Sequence, residues 1–202
     1  KKFDLISLIN VLEHLADPEI ALKQIKKIIK KNGIFVFEVS YLIDVLKKNT
    51  FDTIYHEHMS FHSFLPLEKF FNKLEMKIFD FKRSDVQGGS IRLYVCNKNS
   101  RYKINKKINV LKENELKNYK VNKIKIYKKM QKNILIKKLR VKKDILSKIK
   151  KGNRLIGYGA AAKTTTLLNF FGINKKHFQF IVDDNPLKQN RFTPGTKIPI
   201  KN

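Results

Sequence analysis

With 202 residues, 42% of them hydrophobic, the chain is long enough to bury a core and too apolar to be disordered. Its formal charge of +27 comes almost wholly from lysine spread along the whole length, which argues against a specific nucleic-acid reader built on arginine forks and leaves only non-specific attraction to anions. Cys96 is the single cysteine, which excludes a disulfide framework, and no apolar run approaches the roughly 20 residues of a membrane span, so no membrane partner and a reducing, cytoplasmic setting are expected.

The first residue is Lys, and "FDLISLIN" follows almost at once as a strand pattern with no lead-in, so the sequence is expected to begin inside a larger protein. Residues 3–9 and 34–39 ("IFVFEV") read as parallel strands buried on both faces. Between them a helix is marked by Asp17 as N-cap, Pro18 at the first position, Glu19 in the first turn, lysines in the last turn and Gly33 just past the end. Its expected apolar face is Ile20, Leu22, Ile25, Ile28 and Ile29. Strand, helix and strand of this length predict a right-handed crossover in an α/β sheet.

A second helix is predicted near 64–74, then an antiparallel pair, "MKIFDFKR" and "SIRLYVC", joined through "SDVQGG". Residues 103–150 hold neither Pro nor Gly, and their apolar positions recur at helical spacing, so a long amphipathic connector with a lysine-rich solvated face is expected. After Gly152, "RLIGYGAAAKTTTLLNFFGI" and "FQFIVDDNP" restart the strand, loop, helix and strand pattern. The expected division is residues 1–100, a connector over 101–150, and the opening of a second Rossmann-like domain over 151–202.

Three places carry chemistry. Gly157, Gly159 and Ala162 satisfy G-x-G-x-x-G/A between a strand and a helix, with Asp183 and Asp184 ending the next strand, a context suited to a phosphate-bearing ligand with Lys163 as a point charge. Ala162 stands where a P-loop needs its second glycine, which disfavours nucleotide triphosphate hydrolysis. "NVLEHLAD" puts Asn10, Glu13 and His14 at the carboxyl end of the first strand, the edge where open α/β sheets bind ligands. The second strand ends in Glu38, and the chain runs on to "DTIYHEH" with Tyr55, His56, Glu57 and His58. A metal reading needs HExxH, which fails because position 60 is Ser. An acid/base cluster and a plain surface loop both remain open from spacing alone.

"FDLISLINVLEHLADP", "FEVSYLIDVLKKNTFDTIYHEHMSFHS", "VQGGSIRLYV" and "GYGAAAKTTTLL" with "VDDNPLKQNRFTPGTKIPI" together resemble the S-adenosylmethionine-dependent C-methyltransferases of nucleotide-linked deoxysugars. The resemblance runs over nearly the whole chain and is weakest in the lysine-rich connector. It implies the later half of a class I methyltransferase sheet, a long helical connector and the start of a Rossmann-like C-terminal domain. It also implies S-adenosylmethionine as methyl donor, held largely by a glycine-rich loop and an acidic residue not found in these residues. Zinc is implied only for an N-terminal region, with no metal ligand here, and the partner implied is a nucleotide-diphosphate sugar.

The implied reaction removes a proton from the carbon beside a sugar carbonyl, and the enolate carbon takes the methyl group. Motif matching makes His58 the base, with Tyr55 and Glu57 positioning it or the enolate oxygen and His14 facing the same pocket. His62 is expected to be structural. Asn10, Ser90 and Arg92 of "GGSIR", and the turn from Gly157 and Gly159 to Lys163, fall to substrate binding, though Arg92 suits a cross-strand salt bridge equally well. A non-catalytic nucleotide-sugar binding module is the alternative.

Overall fold

A computed structural model describes residues Lys1–Asn202, which divide into two compact units: Lys1–Thr50 with His56–Met130, and Phe51–Tyr55 with Gln131–Asn202. No helix is long and apolar enough to cross a membrane.

The first unit is built on strands β1 (Phe3–Ile9), β2 (Ile29–Ser40), β3 (Met76–Ser84) and β4 (Ser90–Asn97), with helices α1 (Pro18–Ile28), α2 (Leu42–Lys48), α3 (Phe64–Lys73) and α4 (Lys107–Glu113). The sheet order is β1-β2-β4-β3. β1 and β2 are parallel, as the crossover predicts, and β4 is antiparallel to both β2 and β3. The observed architecture is mixed α/β.

α1 starts as the sequence foretells, for the Asp17 Oδ1 accepts from the Ile20 N–H at 3.0 Å and Pro18 needs no partner at the first position. Its end does not follow the prediction. The helix stops at Ile28, and Lys30, Lys31 and Gly33 lie in β2. Gly33 is therefore no helix cap. It sits where the register jumps from Phe3–Ile29 to Leu5–Ile34, and a Cβ there would stand 2.8 Å from the Phe3 carbonyl oxygen. Of the expected helix face, Leu22 is buried while Ile20 and Ile28 are exposed.

Only one sheet face holds the core. Phe35, Phe37, Val39, Ile91, Leu93 and Val95 are fully buried there, and Phe71 of α3 packs on Phe35 and Phe37 with ring centroids 6.3 and 5.5 Å apart. Truncating a ring so enclosed costs about 3–5 kcal/mol. β1 is not the doubly buried strand its composition suggests. It forms the sheet edge, and Phe3, Leu5 and Ile9 are exposed.

The connector is helical but interrupted. α4 passes into one π-helical turn, Asn114–Asn118, and α5 (Ile124–Lys150) begins only after a break. That turn places Glu115 in the core of the first unit.

The second unit contains the parallel strands β5 (Gly157–Tyr158), β6 (Ile181–Val182) and β7 (Ile200–Lys201), with α6 (Ala162–Phe171) between the first two. Leu168 and Phe171 of α6 are buried with Ile173, Ile181, Ile198 and Ile200. Phe51 belongs here, its ring 4.9 Å from that of Phe170 and 5.7 Å from that of Phe171. Gly172 ends α6 at a φ of 67°, the left-handed cap a glycine supplies.

Candidate active site

The turn after β1 carries His14, and the loop between α2 and α3 carries His58. The Asn10 N–H donates to the Glu38 carbonyl at 2.9 Å, and a φ of 51° at Asn10 turns the chain out of β1 into a single 3-10 turn, Leu12–His14. Leu12 is fully buried and anchors the turn. The loop carrying the second histidine motif is laced onto it: the Met59 N–H donates to the Glu13 carbonyl at 2.8 Å, and His14 Nδ1 lies 2.9 Å from the Glu57 carbonyl. These bonds bring the His14 and His58 rings edge to face, centroids 4.9 Å apart and planes inclined at 63°.

The tautomer of His14 follows from its partner. A carbonyl only accepts, so Nδ1 carries the proton, and in the neutral ring the basic lone pair is on Nε2. His58 is buried, with Phe61 on another side at 6.2 Å. The site thus pairs two imidazoles, a buried one at His58 and an exposed one at His14 that a backbone carbonyl orients.

Glu57 reaches His14 through its backbone. Its carboxylate is exposed and lies 3.9 Å from Nε2 of the still more exposed His56. Tyr55 is the last residue of the Phe51–Tyr55 segment of the second unit and is half-buried. His62 is half-buried; its ring accepts or donates with Ser60 Oγ at 2.9 Å, its carbonyl accepts from the Leu42 N–H, and burial lowers its pKa below the ordinary value.

Arg92 pairs across the strands with Glu38, its Nε at 2.8 Å and its Nη2 at 2.7 Å from the same carboxylate oxygen, and that bond raises the guanidinium above its already high ordinary pKa. Ser90 is fully buried and its hydroxyl donates to the Val86 carbonyl at 2.9 Å. Both residues serve the sheet and its turn in this structure. Gly89 in the same turn has a φ of 131°, and a Cβ there would fall on the Asp44 carboxylate, which itself pairs with Arg83.

In the second unit Gly157 lies against Ile181, where a Cβ would come within 2.9 Å of Cγ1, and Gly159 turns the chain at a φ of 86°. The sequence offers this turn to a phosphate. One of its amides is already taken: the Ala160 N–H donates to Asp183 Oδ2 at 2.6 Å. Asp183 also accepts from the Asn185 N–H at 3.0 Å and from Lys188 Nζ at 3.2 Å, and the Asn185 bond, then that of Ala160, lowers its pKa. The acid that a dinucleotide fingerprint would assign to a ribose instead closes the turn. Lys163, half-buried at the start of α6, has no ion-pair partner.

Sequence reasoning placed Asn10 and Glu13 at this edge and passed over Ser40, and it did not foresee that their polar atoms are left unsatisfied. Both Glu13 carboxylate oxygens, Asn10 Oδ1 and Ser40 Oγ are buried without a hydrogen-bond partner. The signal for Glu13 was faint: an acid between Leu12, which is buried, and His14, in a turn that a strand end leaves no room to solvate.

Two families match the chain, and the break between them falls inside the first unit. A family described as "C-methyltransferase C-terminal domain" matches residues 85–202, and one described as "Methyltransferase domain" matches residues 1–78. A C-methyltransferase of Streptomyces niveus, NovU, is 27% identical over 187 residues, which are 93% of this chain and 44% of that protein. The chain thus spans less than half the length of this curated relative. Among solved structures, magnesium protoporphyrin IX methyltransferase from Synechocystis PCC 6803 with bound SAH shares 12% identity over 48% of this chain and 45% of its own, at a TM-score of 0.38. At that level the likeness adds nothing to what the sheet topology gives by itself. With one family covering more than half of its residues and a methyltransferase domain covering most of the others, the chain belongs to the C-methyltransferases.

Proposed function

We propose that this chain carries the proton-abstracting part of a methyl transfer to carbon, on a keto-deoxysugar linked to a nucleoside diphosphate. The observation that carries the reading is the His14–His58 pair, two imidazoles 4.9 Å apart at the carboxyl edge of a methyltransferase-type sheet. A carbon acid beside a carbonyl needs a base whose proton affinity is matched to neutral pH and a neighbour that keeps it in place. His58 takes the proton at a ring nitrogen. His14, its own Nδ1 proton held by the Glu57 carbonyl, fixes the plane of the base. Tyr55 and Glu57 take the orienting roles on the strength of the motif they share with His58.

The methyl donor implied by the family is S-adenosylmethionine, which supplies an electrophilic methyl group. No glycine-rich turn follows β1, which runs straight into Asn10 and the buried Leu12–His14 turn.

For the diphosphate, the turn from Gly157 to Lys163 offers the start of α6 and the unpaired Lys163, since Asp183 holds the Ala160 amide. A phosphate at Arg92 would compete with Glu38 for the guanidinium.

The test separates the proton step from methyl transfer. Full-length protein is incubated in D2O with a nucleotide-linked ketohexose and no methyl donor, and deuterium beside the carbonyl is read by NMR. Exchange that His58→Asn slows by about 10²–10⁴-fold supports the reading. Exchange as fast in His58→Asn as in the wild type would remove His58 from the role of base.

A further inference from the structure

Glu13 is 2% exposed and Ser40 6% exposed, and their side-chain oxygens, with Asn10 Oδ1, have no partner. All three residues stand where β1 and β2 end. The Asn10 N–H bonds to the Glu38 carbonyl, Ser40 follows Glu38 by one pleat on the same face of β2, and Glu13 sits in the turn that Asn10 opens. Neighbouring polar groups are already spent: Glu38 on Arg92, and Ser90 on the Val86 carbonyl.

A buried carboxylate without a donor is among the most costly arrangements a fold can keep, several kcal/mol in general. Proteins retain such a group when something else supplies the donors. The set here is almost purely accepting: Glu13 brings two oxygens, Asn10 one, and Ser40 a hydroxyl that turns either way. A phosphate or carboxylate ligand would be repelled. Glu13 is moreover tied by its own carbonyl to the Met59 N–H, so the acceptor set and the histidine pair ride on one laced turn.

We propose that Asn10, Glu13 and Ser40 form an acceptor pocket that takes a donor-rich group of a bound reactant, either a primary ammonium or a pair of neighbouring hydroxyls. The assignment of reactants rests on the methyl-transfer reading above. Glu13 acts as a positioning residue: its charge selects a ligand group with two or more N–H or O–H donors and holds that reactant beside the histidine pair. The pocket exchanges fold stability for binding.

That exchange gives a signature. Glu13→Gln in the full-length protein removes the unpaired charge and brings an amide N–H₂ into a neighbourhood of acceptors, so the ligand-free melting temperature is expected to rise by about 2–5 °C. Calorimetric titration then uses three probes: S-adenosylhomocysteine, its deaminated analogue, and a nucleoside-diphosphate ketohexose. Affinity for one reactant is expected to fall about ten-fold or more in Glu13→Gln. If it is S-adenosylhomocysteine, and its deaminated analogue binds wild type and variant alike, the group is the ammonium. If it is the sugar nucleotide, the group is the hydroxyl pair. A melting temperature that falls in Glu13→Gln overturns the pocket, as does unchanged affinity for both reactants. Should neither reactant bind the wild type, the methyl-transfer reading fails, and the melting temperature alone decides the pocket.

Discussion

The hydroxyl of Tyr41, at the end of β2, donates to Glu115 Oε1 at 2.7 Å, joining the sheet to the π-helical turn of the connector. Glu115 is fully buried and also accepts from the Phe64 N–H at 2.7 Å and the Leu65 N–H at 3.1 Å, so it caps α3, whose own Ser63 makes no capping bond. An acid 51 residues away does the work of a local N-cap. Glu115→Ala, which strands three donors, two of them buried, is expected to destabilise the first unit by about 3–5 kcal/mol in urea unfolding, and Tyr41→Phe by about 1–2 kcal/mol.

The same contact makes an alkaline prediction. Burial, followed by the charge of Glu115, pushes the Tyr41 phenol far above its ordinary pKa of 10.0. A group whose pKa is raised on folding contributes stability that is complete below its unfolded value and lost as pH climbs past it. Stability should therefore decline above about pH 10, and Tyr41→Phe should flatten that limb of the pH profile.

His62 governs the acid side. Burial lowers its pKa below 6.5, so the unfolded chain binds a proton that the folded chain refuses. Its contribution is complete above pH 6.5 and erodes as pH falls through the lowered value. Melting curves of the wild type and His62→Gln between pH 7.5 and 5 should converge toward the acid end. Parallel curves would remove His62 from the account.

Asp183 acts at lower pH and in the second unit. Its pKa, lowered from 3.8 chiefly by the Asn185 and Ala160 N–H groups, gives a contribution present above 3.8 and lost as pH drops through the folded value. Asp183→Asn should weaken the turn at neutral pH and remove this acid-dependent loss. Amide exchange at Ala160 reports it directly, since that N–H loses its charged acceptor.

Gly89→Ala tests the turn between β3 and β4. The strained φ of 131° and the collision with Asp44 together predict a loss of about 2–4 kcal/mol, measurable by chemical denaturation.

What the sequence discloses here is what is local. Asp17 and Pro18 start α1 because a cap acts over three residues, and the β3–β4 pair follows from alternation around two glycines. Gly33 misleads because the same residue type marks a helix end and a strand irregularity, and only the partner strand decides between them. Glu115 is invisible in a lysine-rich helical stretch, since its value lies in a helix start far along the chain. The approach of the His14 and His58 rings is not legible in spacing, because 43 residues separate His14 from the carbonyl that orients it. Asp183 is placed by the sequence only at the end of its strand, which cannot show that its carboxylate will satisfy an amide 23 residues away.

The bare edge of β1 has a colloidal consequence. A strand with one unpaired side and exposed Phe3, Leu5 and Ile9 is a template on which another extended chain can grow. In dilute buffer the +27 charge holds copies apart. Added salt shortens that repulsion to about 8 Å at 0.15 M and leaves the sticky edge unopposed. Light scattering from these 202 residues should thus climb with ionic strength. Leu5→Lys, at an exposed position of the edge strand, should keep the solution clear.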